Sequence, residues 1–484
     1  MASSLNDKNI LLLHPLGYKV EAAAQDISRK ANIMPPLGLA SIAAYLEREG
    51  YHCDILDGYA YPDVDLPLQQ LLREKRPALL GVSCTTASFH DAVRLAQLAK
   101  TELPEIQVVF GGAHVSALKK KVLEFSPLID CAVIGEGEQV MLELAQLAGG
   151  EPTDVAGLVW RAADGSLVEN GYRTKALVLD DLPFPAYEKL AGYPNAYKLP
   201  IFNYPKAPNS SCISSRGCPY SCSYCDRSVF RSTFRYNSAE YLYQHLKYLH
   251  ERFAIRHINF YDDQFTFHRN RVEEFCQLMI NRPLGMTFNC AVRAEHVDRE
   301  LLQLMKAAGC WMVSLGIESG DEALLSQHRQ NVNLDRLAET IRTIKSCGIR
   351  TKGLLMMGLP GENEASIRRS MEYVFSLPID DFNLAKFTPF PGSPIYENIH
   401  QLGSFDEDWQ KMDCMHFQFV PHGMEKERLE KLFIEFYKSH FRRKQVLFGY
   451  LTMLWKSPDS WLRFAGSAGQ FLRFALSNKR YGNS

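Results

Sequence analysis

The most informative absence in this sequence is that of a long apolar run. The longest strongly apolar stretch, Val446 to Trp455, falls far short of the roughly 20 residues that a membrane-spanning helix needs. Charge of one sign is not in excess either, since 54 Lys and Arg residues nearly balance 55 Asp and Glu residues. Composition therefore predicts no membrane span and gives no argument for nucleic acid binding.

Several short motifs are also missing. The first eight residues, Met1 to Lys8, do not resemble a signal peptide, so we expect a cytoplasmic protein with reduced thiols. No G-x-G-x-x-G follows the first apolar run, which disfavours a dinucleotide site. Apart from one cluster, the cysteines are scattered, which argues against a second metal cluster: they are Cys53, Cys84, Cys131, Cys212, Cys276, Cys290, Cys310, Cys347 and Cys414.

The exception is the cysteine motif Cys218, Cys222 and Cys225, at C-x3-C-x2-C spacing. Thiolates are the iron ligands of a [4Fe–4S] cluster, which normally takes four of them. Three local thiolates leave one iron open to another ligand, as an open coordination position does at catalytic metal sites. A zinc knuckle completed by Cys212 or a nearby histidine is the alternative, although no second C-x2-C-like arm is present.

An N-terminal domain, residues 8–150, alternates continuous apolar strands with amphipathic helices. This alternation predicts a doubly wound parallel sheet of flavodoxin-like or Rossmann type. Ligands of such sheets bind beyond the carboxyl ends of the strands. On periodicity alone, a receiver-like or nucleotide-binding domain stays open. The predicted strands lie at 9–14, 53–57, 78–83, 107–111 and 131–134.

Beyond residue 150 we predict three further parts. Residues 151–208 form a hairpin, with a turn at Asp164-Gly165, and then a Pro-rich linker laid over the surface. Residues 209–400 contain six strand–helix units, too few for a closed eight-stranded barrel but enough for a partial (β/α)6 TIM-type barrel. Residues 401–484 form a small helical region. The predicted barrel strands lie at 211–214, 257–261, 287–291, 311–316, 350–357 and 382–387.

The cysteine spacing, with Tyr224 before the last cysteine, resembles that of the radical S-adenosylmethionine (SAM) enzymes. Over about residues 8–400 the chain is similar to their cobalamin (B12)-binding group, which includes methylases and the anaerobic magnesium-protoporphyrin monomethyl ester cyclase. The N-terminal segments that carry this resemblance are Met34-Pro35-Pro36-Leu37-Gly38-Leu39, Gly81-Val82-Ser83, Gly111-Gly112-Ala113-His114 and Gly135-Glu136-Gly137-Glu138.

The resemblance implies three cofactors: a [4Fe–4S] cluster, SAM and cobalamin. It implies that SAM is cleaved to a 5′-deoxyadenosyl radical, and methyl transfer to an unactivated substrate carbon is the leading expectation. An oxidative cyclase is the alternative within the group, and a cobalamin-binding sensor without catalysis is the alternative outside it. The D-x-H-x-x-G motif of other cobalamin proteins is absent, so the resemblance implies a corrin held without a protein histidine on cobalt.

The resemblance and the strand-end rule together select candidate site residues. The cluster would be held by Cys218, Cys222 and Cys225. Candidates for SAM are Tyr224, Tyr261, Asp262, Asp263, Arg293, Glu318, Gly353 and Gly358. Candidates for cobalamin are Pro36, Ser83, Thr85, Gly111, Gly112, His114, Glu136 and Gly137. The competing interpretation is structural: loop caps for the aspartates, an Arg293–Glu318 ion pair, and a backbone-bonded loop histidine at His114 or His14.

The C-terminal tail carries basic residues interleaved with aromatics from Lys438 onward, with Asp459 as its one acidic residue. Such a tail fits peripheral membrane contact, an acidic partner, or packing on the barrel. Expected partners are a small-molecule or lipid-like substrate and a flavodoxin- or ferredoxin-type electron donor. The tail residues are Lys438, Arg442, Arg443, Lys444, Lys456, Arg463, Arg473, Lys479 and Arg480, with Trp455, Trp461, Phe464, Phe471 and Phe474.

Overall fold

An N-terminal parallel sheet opens the computed structural model, which describes residues 5–18 and 32–466. Its strand order is β2-β1-β3-β4-β5, and neighbouring strands are parallel. Apolar side chains of β1 and β3 are buried on both faces, as expected for a sheet covered by helices on both sides. The strands are β1 (Asn6–His14), β2 (His52–Asp57), β3 (Pro77–Ser83), β4 (Gln107–Gly111) and β5 (Cys131–Val133).

Six helices connect these strands or follow them. The helices are α1 (Leu37–Arg48), α2 (Asp65–Lys75), α3 (Phe89–Glu102), α4 (Ala113–Leu118), α5 (Lys120–Phe125) and α6 (Glu138–Leu147). Helices α2 to α5 bury apolar side chains against the sheet in one core. The buried side chains of α1 and α6 belong to a second core, which also contains the core of the barrel. The alternation of strands and helices confirms the predicted doubly wound domain.

The predicted hairpin is present as β6 (Leu158–Arg161) and β7 (Leu167–Glu169). It extends the N-terminal sheet, because β6 pairs antiparallel with β5 and with β7. The predicted Pro-rich linker packs closely on the rest of the chain. Tyr187, Tyr197 and Tyr204 of this Pro-rich segment are almost fully buried, so their rings fill space between the segment and the barrel.

A second parallel sheet has six strands in the order β15-β14-β13-β12-β11-β8. Every neighbouring pair is parallel, which confirms the predicted partial barrel. A short antiparallel ladder of β9 (Ser215–Arg216) and β10 (Arg235–Tyr236) stands beside its first strand. The barrel strands are β8 (Asn209–Cys212), β11 (His257–Phe260), β12 (Thr287–Val292), β13 (Cys310–Glu318), β14 (Arg350–Met357) and β15 (Asp381–Lys386).

Helices follow the barrel strands in turn. The last of them, α13, packs on β15, where the Tyr437 hydroxyl bonds both the N–H and the carbonyl of Leu384. A sixth strand–helix unit therefore extends beyond residue 400; the domain bounds themselves stay predictions. The helices are α7 (Ala239–Phe253), α8 (Arg269–Asn281), α9 (Arg299–Ala307), α10 (Glu322–Leu325), α11 (Leu334–Ser346), α12 (Glu364–Ser376) and α13 (Lys426–Phe441).

The C-terminal region adds a small ladder of β16 (Gly403–Phe405) and β17 (Phe419–Pro421), then α14 (Lys444–Lys456). Residues 458–466 are also helical. Among the described residues, no helix has the length and apolar character needed to cross a bilayer. The tail residues Phe471, Arg473, Phe474, Lys479 and Arg480 lie outside the described residues.

Candidate active site

The three motif cysteines lie on one loop at the carboxyl end of β8, between β9 and β10. All three side chains are half-buried. Burial, together with the nearby Asp263, Cys222 and Cys218, raises the pKa of Cys225 to about 12. Cys218 and Cys222 are thus close enough to Cys225 to influence its ionisation. The loop brings the three sulfurs together, as one face of a metal cluster requires.

Backbone geometry makes this loop possible. Gly217 has a φ of 88°, and a Cβ there would lie 2.1 Å from the carbonyl oxygen of Thr233. Only glycine fits such a close approach with a positive φ. The backbone carbonyl of Tyr220 accepts a bond from Arg227 (3.0 Å), which fixes the far side of the turn.

His328 anchors the middle of the loop and was missed in the sequence. Its backbone carbonyl accepts from the Ser223 N–H (2.8 Å), and its Nε2 bonds the Pro360 carbonyl (2.8 Å). A carbonyl can only accept, so Nε2 carries the proton. Burial lowers the histidine pKa, so the neutral ring accepts from the Ser223 hydroxyl through Nδ1 (2.9 Å). The histidine thereby ties the cysteine loop to the segment after β14.

The donor set fits a cluster better than a single zinc ion. In residues 5–18 and 32–466, no group of three or more His, Cys, Asp and Glu side chains converges to hold one metal ion. A zinc knuckle needs four ligands about 2.0–2.3 Å from one centre. Cys212, the proposed fourth ligand, is fully buried and contacts His245 Nδ1 (3.5 Å). Three thiols spread over one loop instead suit three corners of an iron–sulfur cube.

Glu318 ends β13 in a strained conformation. Its φ of 63° lies in the left-handed region, and the pairing with β14 shifts register between Gly316 and Glu318. Non-glycine residues in this region are costly and concentrate at functional sites. Burial raises the pKa of Glu318 to about 7, although Arg329 and Arg293 oppose the shift. The Tyr224 pKa is raised by burial and by the Glu318 carboxylate, which places Tyr224 and Glu318 side by side.

Arg293 follows β12 and faces the same loop. Its guanidinium carbon lies 3.8 Å from the ring centre of Tyr220, and its Nη2 donates to Glu295 Oε1 (2.8 Å). The Arg293–Glu318 ion pair considered above is not present among the described side chains, since Arg293 pairs with Glu295. Arg293 nevertheless lies near Cys222 and so adds positive charge beside the cysteine loop.

Of the two aspartates that follow β11, one has a structural role and the other is exposed. Asp262 is buried and accepts from the Ser214 N–H (2.6 Å), while Arg271 donates to the Ser214 carbonyl (3.1 Å). The Asp262 carboxylate therefore holds the chain just before the cysteine loop, which leaves only its backbone for a ligand. Asp263 is exposed to the cleft. The Tyr261 N–H bonds the Cys212 carbonyl (2.9 Å) and continues the strand pairing.

Two glycines of β14 and the following turn allow close packing. A Cβ on Gly353 would lie 2.9 Å from Ile317 Cδ1, and one on Gly358 (φ 94°) would lie 3.1 Å from the Phe417 ring. The Gly358 N–H donates to the buried carboxyl of Glu362, a residue that we did not predict. Burial raises the pKa of Glu362 to about 8, although the hydrogen bonds that its carboxylate accepts from backbone N–H groups lower the pKa.

On the N-terminal side, a cavity of about 220 Å³ lies at the carboxyl ends of β3, β4 and β5. Five of the eight predicted cobalamin residues line it: Ser83, Gly111, Gly112, Glu136 and Gly137. Pro36, Thr85 and His114 do not border it. A Cβ on Gly112 would lie 2.5 Å from the Cys84 carbonyl oxygen, so no side chain fits at this position of the cavity wall. Typical ligand pockets measure roughly 300–1,000 Å³, so the cavity would take only part of a cobalamin.

His114 lies away from the cavity, in an aromatic cluster. Its ring is fully buried, with centroids 4.6 Å from those of both Phe89 and Trp409. Its Nδ1 bonds Thr86 Oγ1 (3.2 Å), and burial lowers its pKa to about 4. His14, the other histidine considered, bonds Asp57 through Nδ1 (2.8 Å). Trp409 comes from the C-terminal region, and this distant contact explains why the sequence did not reveal the burial of His114.

Glu136 and Glu138 join the two sheets through partly buried ion pairs. Arg216, at the start of the cysteine loop, donates to both carboxylates, with 2.6 Å to Glu138 Oε1. Arg235 donates to the second oxygen of Glu136. Ser41 donates to Glu138 Oε1 (2.7 Å) and completes the group. Arg216 and Arg235 were not predicted; Arg216-Gly217 before the motif was the available signal.

The carboxyl ends of both sheets therefore meet in one cleft. Ser228, three residues after the last motif cysteine, donates its hydroxyl to the Ala113 carbonyl (3.1 Å). A Cβ on Gly135 would lie 3.4 Å from the carbonyl oxygen of Val229. The cysteine loop and the glycine-rich strand ends are thus in direct contact. Ligands held by the two sheets would be neighbours.

Comparison with known proteins matches each half of the chain separately. A family model of the radical SAM superfamily matches residues 212–374. A model of the B12 binding domain matches residues 27–145. The first match covers the cysteine loop and the four barrel strands β11 to β14, and the second covers the strands β2 to β5 of the N-terminal sheet.

Similar proteins span nearly the whole chain. An uncharacterised methyltransferase of Pyrococcus horikoshii is 27% identical over 85% of this chain and 89% of its own length. An anaerobic magnesium-protoporphyrin IX monomethyl ester cyclase of Rubrivivax gelatinosus is 28% identical over 90% of this chain and 78% of its own. The solved TsrM methyltransferase of Kitasatospora setae shares the fold, with a TM-score of 0.66, 19% identity, and coverage of 81% of this chain and 76% of its own.

Proposed function

We propose that this chain, which belongs to the cobalamin-binding radical SAM enzymes, transfers a methyl group to an unactivated carbon of a small molecule. Both halves of such an enzyme are matched in one chain. The relative named a methyltransferase is similar over 89% of its own length, which supports an arrangement shared throughout. The TsrM structure, solved with tryptophan and a SAM analogue, supports a small-molecule substrate.

The chain's residues would hold three groups. When bound, the [4Fe–4S] cluster with SAM would supply a 5′-deoxyadenosyl radical, and cobalamin would supply the methyl group. Cys218, Cys222 and Cys225 would bind three irons through their sulfurs. His328 fixes the loop that carries them through Ser223, so that the sulfurs keep their spacing.

Around these sulfurs, the strand ends supply charge and exclude water. Glu318 lies beside Tyr224 and would accept a hydrogen bond from SAM as a carboxylate. Tyr224 is half-buried, and its side chain lies near Cys222 of the cysteine loop. Arg293 supplies fixed positive charge next to Cys222, which would offset the negative charge of thiolates.

One observation carries the proposal: both sheets turn their strand ends to the same cleft. Ser228 of the loop after the cysteines bonds the glycine-rich loop of β4 directly (3.1 Å). A substrate carbon must reach both a hydrogen-abstracting group and a methyl donor, and reaction requires groups within a few ångströms. A cleft formed by both strand edges meets that requirement.

A ring-forming oxidative enzyme is the second candidate, because the cyclase relative is similar over 90% of this chain. It would use the same cofactor sites, so residues of the cleft do not separate the two. Product mass does: methylation adds one CH2 unit, whereas cyclisation with oxidation removes hydrogen or adds oxygen. We propose methyl transfer first, with a flavodoxin or ferredoxin as the physiological reductant.

The test uses the full chain, reconstituted without oxygen with iron and sulfide, then given SAM and dithionite. We expect 5′-deoxyadenosine from the wild type and a background level from Cys222→Ala, with its iron content reduced. Cys347→Ala, a half-buried cysteine outside the loop, is the matched control and should stay within about twofold. Equal 5′-deoxyadenosine from Cys222→Ala, or zinc in place of iron, would refute the proposal.

The reaction type is tested separately, by mass spectrometry of metabolites from cells with and without the gene, grown without oxygen. A product heavier by one CH2 unit supports methyl transfer. A product that has lost hydrogen or gained oxygen assigns the cyclase alternative. Wild-type protein that yields no 5′-deoxyadenosine despite a full cluster would indicate a sensor.

A further inference from the structure

Helix α14 exposes a continuous apolar face. Its outward side chains recur at spacings of one, three and four residues, and at 100° per residue they span an arc of about 120°. Phe448 and Trp455 are each 67% exposed. The face consists of Leu447, Phe448, Leu451, Leu454 and Trp455.

The opposite face of α14 is firmly docked. Val446 and Met453 are buried. The Tyr450 hydroxyl donates to Asp381 Oδ1 (3.1 Å), and the Trp461 ring donates to the Tyr450 carbonyl (3.3 Å). The helix is therefore held in place by one side, and its apolar side is the outer surface of the molecule.

Exposed apolar residues are concentrated here. Of the 18 large hydrophobic residues exposed in the described part of the chain, 8 lie between residues 434 and 462. Ile434, Phe441 and Leu462 are the three outside α14. Single exposed apolar residues are ordinary, whereas a contiguous patch marks an interaction surface.

The charge around this face is positive. Residues 438–466 contain six Lys and Arg residues and one acidic residue, Asp459. Asp459 already accepts from the Tyr204 hydroxyl (2.6 Å). Four of the basic side chains are exposed and have no ion-pair partner among the described residues: Lys438, Arg442, Lys444 and Lys456.

Charge complementarity decides between occupants. A second copy of the chain would bring the same positive surface against itself. Residues 467–484 contain three basic residues and no acidic one, so their charge does not complement this positive surface either. A bilayer with anionic headgroups offers negative charge and an apolar interior together. We propose that α14 docks this protein on an anionic lipid surface, with its apolar face in the headgroup boundary.

The position of α14 fixes which way the cleft would point. Tyr450 bonds Asp381, the first residue of β15, and Arg443 donates to the Phe375 and Leu377 carbonyls at the end of α12. The helix thus lies at the amino ends of the barrel strands, whereas the cysteine loop lies at their carboxyl ends. Docking through α14 leaves the cleft facing away from the lipid, so docking and catalysis are separable.

The experiment is vesicle flotation with the full-length protein. We compare phosphatidylcholine vesicles with vesicles that contain about 30% phosphatidylglycerol. We expect binding to the anionic vesicles, at least about tenfold weaker binding to neutral ones, and weakening by salt. Leu447→Glu with Phe448→Glu should lower the bound fraction about tenfold or more. Leu66→Glu with Val178→Glu, which changes equally exposed apolar residues elsewhere, should leave it unchanged.

Two further measurements make the test decisive. Trp455 fluorescence should shift to the blue on anionic vesicles, and Trp455→Phe should remove most of that shift. Light scattering reports association between copies: a dimer that is lost in the Leu447→Glu, Phe448→Glu variant would assign the face to a second copy and overturn the proposal. Equal binding to neutral and anionic vesicles would also overturn the proposal. So would binding of an acidic protein to this face without any binding to vesicles.

Failure of this inference is distinguishable from failure of the proposed function. The α14 variants should keep 5′-deoxyadenosine formation within about twofold of wild type, because α14 lies at the far end of the barrel. Vesicle binding without 5′-deoxyadenosine in the wild type would refute the proposed reaction alone. The converse result would refute docking alone.

Discussion

The two sheets present strand ends to one cleft but differ in how their carboxyl groups are compensated. On the N-terminal side, Glu136 and Glu138 form ion pairs with Arg216, and Glu136 also pairs with Arg235. Despite its burial, the pKa of Glu138 is lowered by Arg216 and by the hydrogen bond from Ser41. On the barrel side, burial raises the pKa values of Glu318 and Glu362 to about 7 and 8.

This difference shows what each edge can contribute. The carboxylates of Glu136 and Glu138 are engaged with arginines, so the N-terminal edge presents mainly a shape to a ligand: glycines without side chains, small hydroxyls and a cavity. In the part of the chain that is described, Glu318 and Glu362 have no cationic partner within ion-pair distance. The barrel edge therefore offers groups whose charge changes near neutral pH.

The largest effect on the free energy of unfolding should come from removing the arginine that pairs with the carboxylates of the N-terminal side. Arg216→Met leaves Glu136 with Arg235 and leaves the buried Glu138 without a cationic partner. An uncompensated buried carboxylate costs about 3–5 kcal/mol in the free energy of unfolding, which urea denaturation would measure. Arg94→Met, which breaks half-exposed pairs with Asp65 and Asp91, should cost less than about 1 kcal/mol. Similar losses in both variants would contradict the comparison.

Glu362→Gln should remove the contribution of Glu362 to the pH dependence of the free energy of unfolding, while that of Glu318 stays. The folded pKa of about 8 lies above the usual 4.5, so the folded state binds more protons and the wild type loses stability as pH rises from 4.5 to 8. Gln can still accept from the Gly358 N–H. Between pH 5 and 8, we expect the wild type to lose about 2–4 kcal/mol relative to the variant. Exposed Glu397→Gln is the control, and parallel pH profiles for wild type and Glu362→Gln would refute the prediction.

Glu318→Gln should give the smallest effect, on activity rather than folding. The carboxylate form is the one expected to bind SAM, so wild-type 5′-deoxyadenosine formation should increase as pH rises through about 7. Loss of one charged hydrogen bond costs about 2 kcal/mol, or roughly 30-fold in kcat/KM. The variant should show that loss in kcat/KM, and its 5′-deoxyadenosine formation should not change as pH rises through about 7. Glu322→Gln, exposed on α10, should retain the wild-type profile; a rising profile in Glu318→Gln would exclude Glu318 as the group.

Local patterns predicted the elements and the cysteine loop well. The predicted strand at 350–357 has the observed bounds of β14, because an apolar run between polar turns specifies a buried strand. Composition did not show how closely the Pro-rich segment packs. Its composition is typical of a linker, yet Tyr187, Tyr197 and Tyr204 are buried against parts of the chain that are distant in sequence.

The sequence by itself determined the two α/β units, the three-cysteine loop and the resemblance to cobalamin-binding radical SAM enzymes, since each depends on spacing within a short stretch. Only the tertiary structure decided which partners the side chains at the strand ends have and how deeply they are buried. Glu136 meets Arg216 80 residues away, His114 is enclosed by Trp409, and α14 turns an apolar face outward. Each outcome depends on which distant segment packs beside a residue, because burial and nearby charge set the chemistry of a side chain.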